Sequence, residues 1–106
     1  MVNIIIWNAR GLGVRVKTAY VATESRRCNS SIAVILEPKQ CMERIASLSK
    51  IMGFDDFLHA NKLSRHIWVS WKWGISVEYV EASAQHITTK IITGGSEFLI
   101  SFVYAN

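Results

Sequence analysis

Two apolar runs constrain the fold of this 106-residue chain more than any other feature. Residues 2–7 are almost continuously apolar and rich in isoleucine, and Ile32–Leu36 is apolar throughout. Runs without polar alternation are typical of strands buried on both faces of a helix-covered sheet. Residues 17–27, which lie between them, have helical spacing. Together the three segments predict a strand–helix–strand unit with parallel strands.

The second half of the chain has a different pattern. Pro38 ends the second apolar run, and residues 40–52 have apolar side chains at spacings of three and four, which predicts a second helix. Gly53 follows at the position of a C-terminal helix cap. Short alternating segments then predict antiparallel strands, with turns at Trp73-Gly74 and Gly94-Gly95. This order predicts a mixed α+β or α/β fold, with residues 1–106 in one domain.

The charge and the termini narrow the class of protein. The formal net charge is +4, from 12 Lys and Arg against 8 Asp and Glu, which permits a polyanionic partner such as nucleic acid. The sequence has neither a signal-peptide pattern nor an apolar run of membrane-spanning length. Cys28 and Cys41 are interpreted as buried free thiols in a reducing compartment. We therefore expect an intracellular protein, nuclear or cytoplasmic, that is not secreted and has no membrane partner.

Asn8 and Glu37 are candidate site residues because each stands at or just past the carboxyl end of a predicted buried strand. In parallel neighbouring strands both side chains emerge at one sheet edge, where ligand sites of such sheets gather. An amide oxygen and a carboxylate suit a hard cation such as Mg2+. Each residue also has an ordinary structural interpretation. Asn8 can serve as a turn former before a glycine loop, and Glu37 can be a solvent-exposed residue before a proline.

Other polar and aromatic groups give weaker signals. Trp68, Trp71 and Trp73 could stack on nucleic-acid bases, but packing in the core is favoured because Trp71 alternates with aliphatic neighbours. The histidines have no metal-ligand spacing and are interpreted as surface or half-buried strand residues: His59, His66 and His86. Asp55-Asp56 is interpreted as a loop feature after the predicted helix cap.

Several motifs resemble one protein family. Ile4-Ile5-Ile6-Trp7-Asn8-Ala9-Arg10-Gly11-Leu12-Gly13 resembles the opening strand and loop, roughly I-x-x-W-N-x-R-G-L-G, of plant LINE-type retrotransposon endonuclease domains. These domains belong to the endonuclease/exonuclease/phosphatase superfamily. Residues 34–39 resemble the family's F-L-x-E-T-K strand. Residues 53–55, 67–71 and 102–105 resemble its L-G-F-D, G-G-I-W-x-x-W and V-Y-A segments, so the resemblance spans essentially the whole chain.

The resemblance implies a two-sheet sandwich flanked by helices, and hydrolysis of nucleic-acid phosphodiesters with Mg2+ or Mn2+. In that chemistry an activated water attacks phosphorus. By this resemblance Glu37 is the metal ligand, and Asn8 helps to place the metal and the nucleophile. Tyr104 approaches the scissile phosphate and supports charge that develops in the transition state. Arg10 contacts the nucleic-acid backbone.

The chain also departs from the family pattern. The later G-D-x-N motif and the terminal Asp-His pair are absent, Pro38 replaces the usual Thr, and Arg65-His66 replaces two glycines. The resemblance therefore implies the N-terminal half of the domain, with weak metal binding and little or no hydrolysis alone. A positioned general base is worth roughly 10²- to 10⁴-fold in rate.

Three interpretations stay open on these grounds. The chain is a truncated retroelement endonuclease-like domain, a non-enzymatic module that binds nucleic acid or protein on the same scaffold, or a fragment of a longer protein. The resemblance further implies that this half supplies about one of the two sheets. An apolar sheet face would then be open, and a homodimer or another partner over the missing half would cover it.

Overall fold

The computed structural model describes residues 2–11, 15–39, 42–58 and 66–104. Some residues that entered the sequence predictions lie outside this described part: Leu12, Gly13, Gln40, Cys41, His59, Arg65 and Ala105. The described elements are β1 (Ile4–Asn8), α1 (Arg15–Arg27), β2 (Ile32–Leu36), α2 (Met42–Ile51), β3 (Asp56–Phe57), β4 (Ile67–Trp71), β5 (Ser76–Ala82), β6 (His86–Thr93) and β7 (Ser96–Val103). They make a mixed α+β fold with two sheets.

The first sheet has the strand order β1-β2-β4-β3. β1 and β2 are parallel, with Asn8 opposite Leu36, which confirms the pairing predicted from the strand–helix–strand order. β4 lies antiparallel on the other side of β2. All five residues of β4 are buried, including the polar Ser70. Its hydroxyl forms a 2.8 Å hydrogen bond with that of Ser49 in α2, so the polar group is satisfied inside the core.

The second sheet is an antiparallel meander in the order β5-β6-β7. The predicted turn at Gly94-Gly95 joins β6 to β7, and both glycines have positive φ, 55° and 79°. Such angles at both central residues match the twist of the flanking strands. The predicted turn at Trp73-Gly74 is also present, but it links the two sheets because β4 and β5 belong to different ones.

Two apolar cores hold the layers together. The core between the two sheets contains Ile32, Val34, Leu58, Ile67, Val69, Trp71, Val77, Ile87, Ile91, Phe102 and Tyr104. The core between the first sheet and the helices contains Ala9, Val21, Ala33, Ile35, Leu48, Met52, Phe54 and Trp68. The prediction that the chain supplies about one sheet is wrong, because β5, β6 and β7 form a second sheet that covers the inner face of the first.

Each helix is followed by a residue with a left-handed backbone conformation, and backbone hydrogen bonds at that point close the last turn of the helix. After α2, Gly53 has φ 94° and donates to the Lys50 carbonyl at 3.0 Å, while Phe54 donates to Ser49 at 2.9 Å. This pair of bonds satisfies the free carbonyls at a helix end. Asn29, with φ 51°, has the same role after α1. The predicted cap at Gly53 is confirmed.

Three expectations about burial are corrected. The first apolar run was predicted to be buried on both faces, but β1 is the edge strand of its sheet, none of its residues is fully buried and Ile6 is 58% exposed. Trp68 and Trp71 are in the core as predicted, but Trp73 is 91% exposed because it lies in the turn beyond the end of β4. Cys28 is exposed, since it lies in the turn after α1 and not on the face that packs against the sheet. Within the described part of the chain, neither helix has the length and apolar character needed to cross a membrane.

Candidate functional site

Four segments of the chain meet at one end of the sandwich. Because β1 and β2 are parallel, Asn8 and the residue after Leu36 reach the same edge. β4 is antiparallel to β2, so its first residues also lie there, and the end of β7 reaches it from the second sheet. We call this region the Glu37 edge and define it as Asn8, Arg10, Glu37, His66 and Tyr104. The structure thus brings together all four sequence-predicted site residues, and adds His66.

The backbone of Glu37 is held from both sides in a left-handed conformation. Its φ is 52°, its N–H donates to the His66 carbonyl at 2.7 Å, and its carbonyl accepts the N–H of Gly11 at 2.7 Å. A non-glycine residue in this region costs of order 1–3 kcal/mol and persists where its surroundings over-determine it. The residue before β4 on one side and the loop after β1 on the other therefore fix the backbone from which the half-buried Glu37 side chain projects.

Tyr104 brings a phenol to this carboxylate. Its side chain is buried, and its hydroxyl forms a hydrogen bond with the Glu37 carboxylate. Burial is the largest cause that raises the pKa of the Tyr104 phenol, the hydrogen bond and negative charge of Glu37 raise it further, and Arg10 lowers it. The phenol therefore stays protonated and donates to Glu37.

The loop after β1 is closed by a lysine from the first helix. The Lys17 ammonium donates to the carbonyls of Ala9 at 2.9 Å, Gly11 at 3.1 Å and Arg10 at 3.4 Å. Arg10 and Gly11 both have positive φ, 48° and 96°. The tight loop leaves the Arg10 side chain exposed at the Glu37 edge.

The amide of Asn8 takes part in the same loop. Its Oδ1 accepts the backbone N–H of Arg10 at 3.3 Å, which is the turn-forming role that the sequence also allowed. The side chain is exposed, so this oxygen retains a second lone pair toward solvent. Asn8 therefore has a structural role in the loop, and its exposed side chain lies at the Glu37 edge.

Sequence reasoning missed Lys17, Lys39 and His66. A lysine in the first turn of a helix is unusual, since that end favours anionic groups, and this could have indicated that its ammonium is used elsewhere. Lys39 is exposed beside the edge, where a β-carbon on Gly11 would meet its Cδ at 3.7 Å. The signal for His66 was its place in a position where the resembled family has glycine.

The donor set at this edge suits a loosely held hard cation. Mg2+ is commonly bound through one or two carboxylates, keeps several waters and accepts substrate phosphate oxygens. Glu37 and Asn8 fit that kind of binding. Among the residues that the structure describes, no group of three or more His, Cys, Asp or Glu side chains converges as a metal site, so an enclosed metal cage is not formed there.

A separate groove of about 660 Å³ lies at the opposite end of the sandwich. It is lined by Asp55, Asp56, Lys72 and the exposed Trp73, among others. The carboxylate of Asp55 accepts the Trp73 N–H at 2.7 Å and so holds the turn between the sheets. This agrees with the loop interpretation of Asp55, whereas Asp56 was expected in the loop and instead begins the short strand β3, paired with Trp71. The size of the groove is therefore a weaker guide to function than the convergent polar groups at the Glu37 edge.

No protein-family model matches this chain, and a search of curated proteins finds no match. The chemistry of the Glu37 edge is therefore inferred from its own residues and motifs.

Proposed function

We propose that the chain carries the metal-side half of a phosphodiesterase site of the endonuclease/exonuclease/phosphatase kind, with nucleic acid as its substrate. One observation supports this above the others. Three separate motifs of the resemblance supply the site residues: the first supplies Asn8 and Arg10, the second Glu37 and the third Tyr104. All four residues lie together at one edge of the fold. Asn8 and Glu37 share this edge because their strands are parallel neighbours. Tyr104 follows a strand of the other sheet, so its approach to Glu37 is the part of the arrangement that parallel pairing does not explain.

Each residue has a role that its contacts support. Glu37, with Asn8 beside it, would hold Mg2+ or Mn2+, which when bound supplies positive charge next to a substrate phosphate. Tyr104 presents a protonated hydroxyl where a phosphate held at Glu37 would lie, and can support negative charge that develops there. The exposed guanidinium of Arg10 would contact the nucleic-acid backbone.

Hydrolysis by these residues should be slow. The family motifs that provide a further Asp and an Asp-His pair are absent from the sequence. The loss of a positioned base lowers a rate by roughly 10²- to 10⁴-fold. We therefore propose weak metal binding and very slow turnover by the chain alone.

A non-enzymatic nucleic-acid binding module is the second candidate function. It is favoured by the two exposed cations, Arg10 and Lys39, that flank the Glu37 edge. Phosphate contacts by such side chains give affinity that falls steeply with salt and needs no metal.

Nicking of supercoiled DNA in the presence of Mg2+ tests the enzymatic proposal. We expect slow nicking that a chelator stops and that Glu37→Gln lowers by about 10²-fold or more, a typical cost of losing one transition-state contact. The matched control is Glu97→Gln, an exposed carboxylate on β7 that pairs with Lys90 at 3.2 Å, and it should leave the rate unchanged.

The other outcomes separate the two functions. If the chain binds DNA but does not nick it, and binding is equal in Glu37→Gln and with chelator present, the binding module is supported and the enzyme is rejected. If no nucleic acid binds at low salt, both proposals are rejected.

A further inference from the structure

The imidazole of His66 forms one side of an aromatic stack at the Glu37 edge. Its ring centroid is 5.2 Å from that of Tyr104, with 30° between the ring planes. Tyr104 is buried, at 8% exposure, whereas His66 is exposed. The histidine ring is therefore backed by the core and presents the rest of its surface to solvent.

The backbone of His66 is held at the edge of the first sheet. The His66 carbonyl accepts the N–H of Glu37 at 2.7 Å, and β4 begins at the next residue. The stack on the buried Tyr104 restricts the imidazole, and a ring restricted in this way loses less freedom when a flat ligand covers its other face. The surroundings also suit a nucleic acid, because the cations Arg10 and Lys39 lie at the same edge. Proteins that bind single strands combine cationic grooves with aromatic rings in this way.

We propose that His66 is a base-stacking residue, on which an unpaired nucleobase lies when the adjoining phosphate is at the Glu37 edge. This rests on the proposed function, which brings nucleic acid to the same edge, and it names the substrate class as single-stranded or locally unpaired nucleic acid. In a paired duplex each base already stacks on its neighbours, so the histidine ring gains no base to cover. His66 thus gives a preference for unpaired strands that phosphate contacts alone cannot give.

Binding of a short single-stranded DNA oligonucleotide, followed by fluorescence anisotropy in the presence of chelator, tests this proposal. Without metal no cleavage interferes. We expect His66→Ala to weaken binding by about tenfold, within the range for loss of one stacked base, and His66→Phe to bind like the unmodified protein. Both variants keep the backbone carbonyl that holds Glu37. Trp73→Ala removes another exposed aromatic ring, at the opposite end of the sandwich, and should have no effect.

Two further binding measurements test whether the nucleobase is the group that His66 contacts. Affinity for a fully paired duplex of the same length should be equal in His66→Ala and in the unmodified protein. With an abasic oligonucleotide, which keeps the phosphates, the difference between the two proteins should vanish. His66→Leu, of similar volume and without an aromatic ring, replaces the alanine variant if that one does not fold.

Several results would overturn the proposal. One is that His66→Ala or His66→Leu binds the single strand as tightly as the unmodified protein does. A second is that His66→Ala loses as much affinity for the duplex as for the single strand. A third is that the two proteins still differ in affinity for the abasic strand. Each of these leaves the proposed function standing, because nucleic acid still binds. A chain that binds no nucleic acid at all rejects the stacking role together with the function on which it rests.

Discussion

The backbone conformation of Glu37 is a residue-scale feature with a measurable consequence. Its φ of 52° is one that a β-carbon disfavours by roughly 1–2 kcal/mol, and glycine adopts it freely. Pre-organised carboxylates of this kind exchange some stability for a fixed geometry. The strain thus makes a prediction that does not depend on any activity.

We expect Glu37→Gly to be more stable than Glu37→Ala by about 1 kcal/mol, because both lose the contact with Tyr104 but only glycine relieves the strained φ. Urea unfolding measures the difference in the free energy of unfolding between the two variants, compared at the same slope of that free energy against urea concentration. An alanine variant as stable as the glycine variant contradicts the strained conformation.

Tyr104 gives a second residue-scale prediction, on pH. Its pKa is raised in the folded protein, mainly by burial and then by Glu37. The neutral phenol is therefore favoured by folding. This contribution to stability is complete below the ordinary tyrosine pKa near 10, and is lost as pH rises through the higher folded-state value.

The free energy of unfolding should accordingly decline above about pH 10, and it should decline less in Tyr104→Phe, which has no proton to lose. Chemical unfolding at stepped alkaline pH measures this, with Tyr79→Phe, an exposed tyrosine on β5, as the control. Parallel declines in the unmodified protein and Tyr104→Phe would show that Tyr104 is not the group responsible.

At the scale of the element, helix α1 contacts the loop after β1 through the side chain of Lys17. The Lys17 ammonium contacts three carbonyls of that loop, Ala9, Arg10 and Gly11. A charged donor to partly buried carbonyls stabilises more than a neutral one. The loop that presents Arg10 therefore depends on the helix packed beside it.

Lys17→Met should destabilise the fold by about 1–3 kcal/mol, since it removes these bonds and leaves part-buried carbonyls without a donor. Lys50→Met, at an exposed position in the last turn of α2, is the matched control and should change little. Thermal unfolding distinguishes them, and equal effects of the two substitutions contradict a special role for Lys17.

At the scale of the whole molecule, β7 forms an edge of the second sheet that no other described strand pairs with. This strand ends the second sheet, and Leu99 and Val103 on it are 66% and 63% exposed. Ser96–Val103 contains no Pro or Lys, the residues that usually prevent edge-to-edge pairing. The original reason for expecting a dimer, an uncovered sheet, is gone. The exposed edge is a different reason for the same expectation.

We predict a homodimer in which two β7 strands pair antiparallel about a twofold axis. Size-exclusion chromatography with light scattering over a range of concentrations measures the mass, and Leu99→Lys should shift it to the monomer. A monomer of unmodified protein at every concentration contradicts the prediction and favours a different partner, or none, at this edge.

Local pattern was enough to predict much of this architecture. The apolar runs predicted β1 and β2 and their parallel pairing, the spacing of apolar residues predicted α2, and glycines predicted the cap at Gly53 and the hairpin at Gly94-Gly95. These features follow from backbone preferences and periodicities that act over a few residues. Asn8 and Glu37 were placed correctly at one sheet edge, because strand ends are part of that local pattern.

The remaining features depended on packing between distant segments. Trp71 is buried and Trp73 is exposed because β4 ends between them, where the chain passes to the second sheet. The short β3 was not foreseen, since two residues give no periodicity.

For the Glu37 edge, the sequence by itself determined which residue types stand at the ends of β1 and β2. The resemblance of its motifs added Tyr104. Only the tertiary structure decided that Tyr104 reaches Glu37, and that His66 stacks on Tyr104. The physical reason is that these contacts join β2, β4 and β7, which are far apart in the chain. They form when burial of the shared apolar core brings the two sheets together, and no local preference encodes that approach.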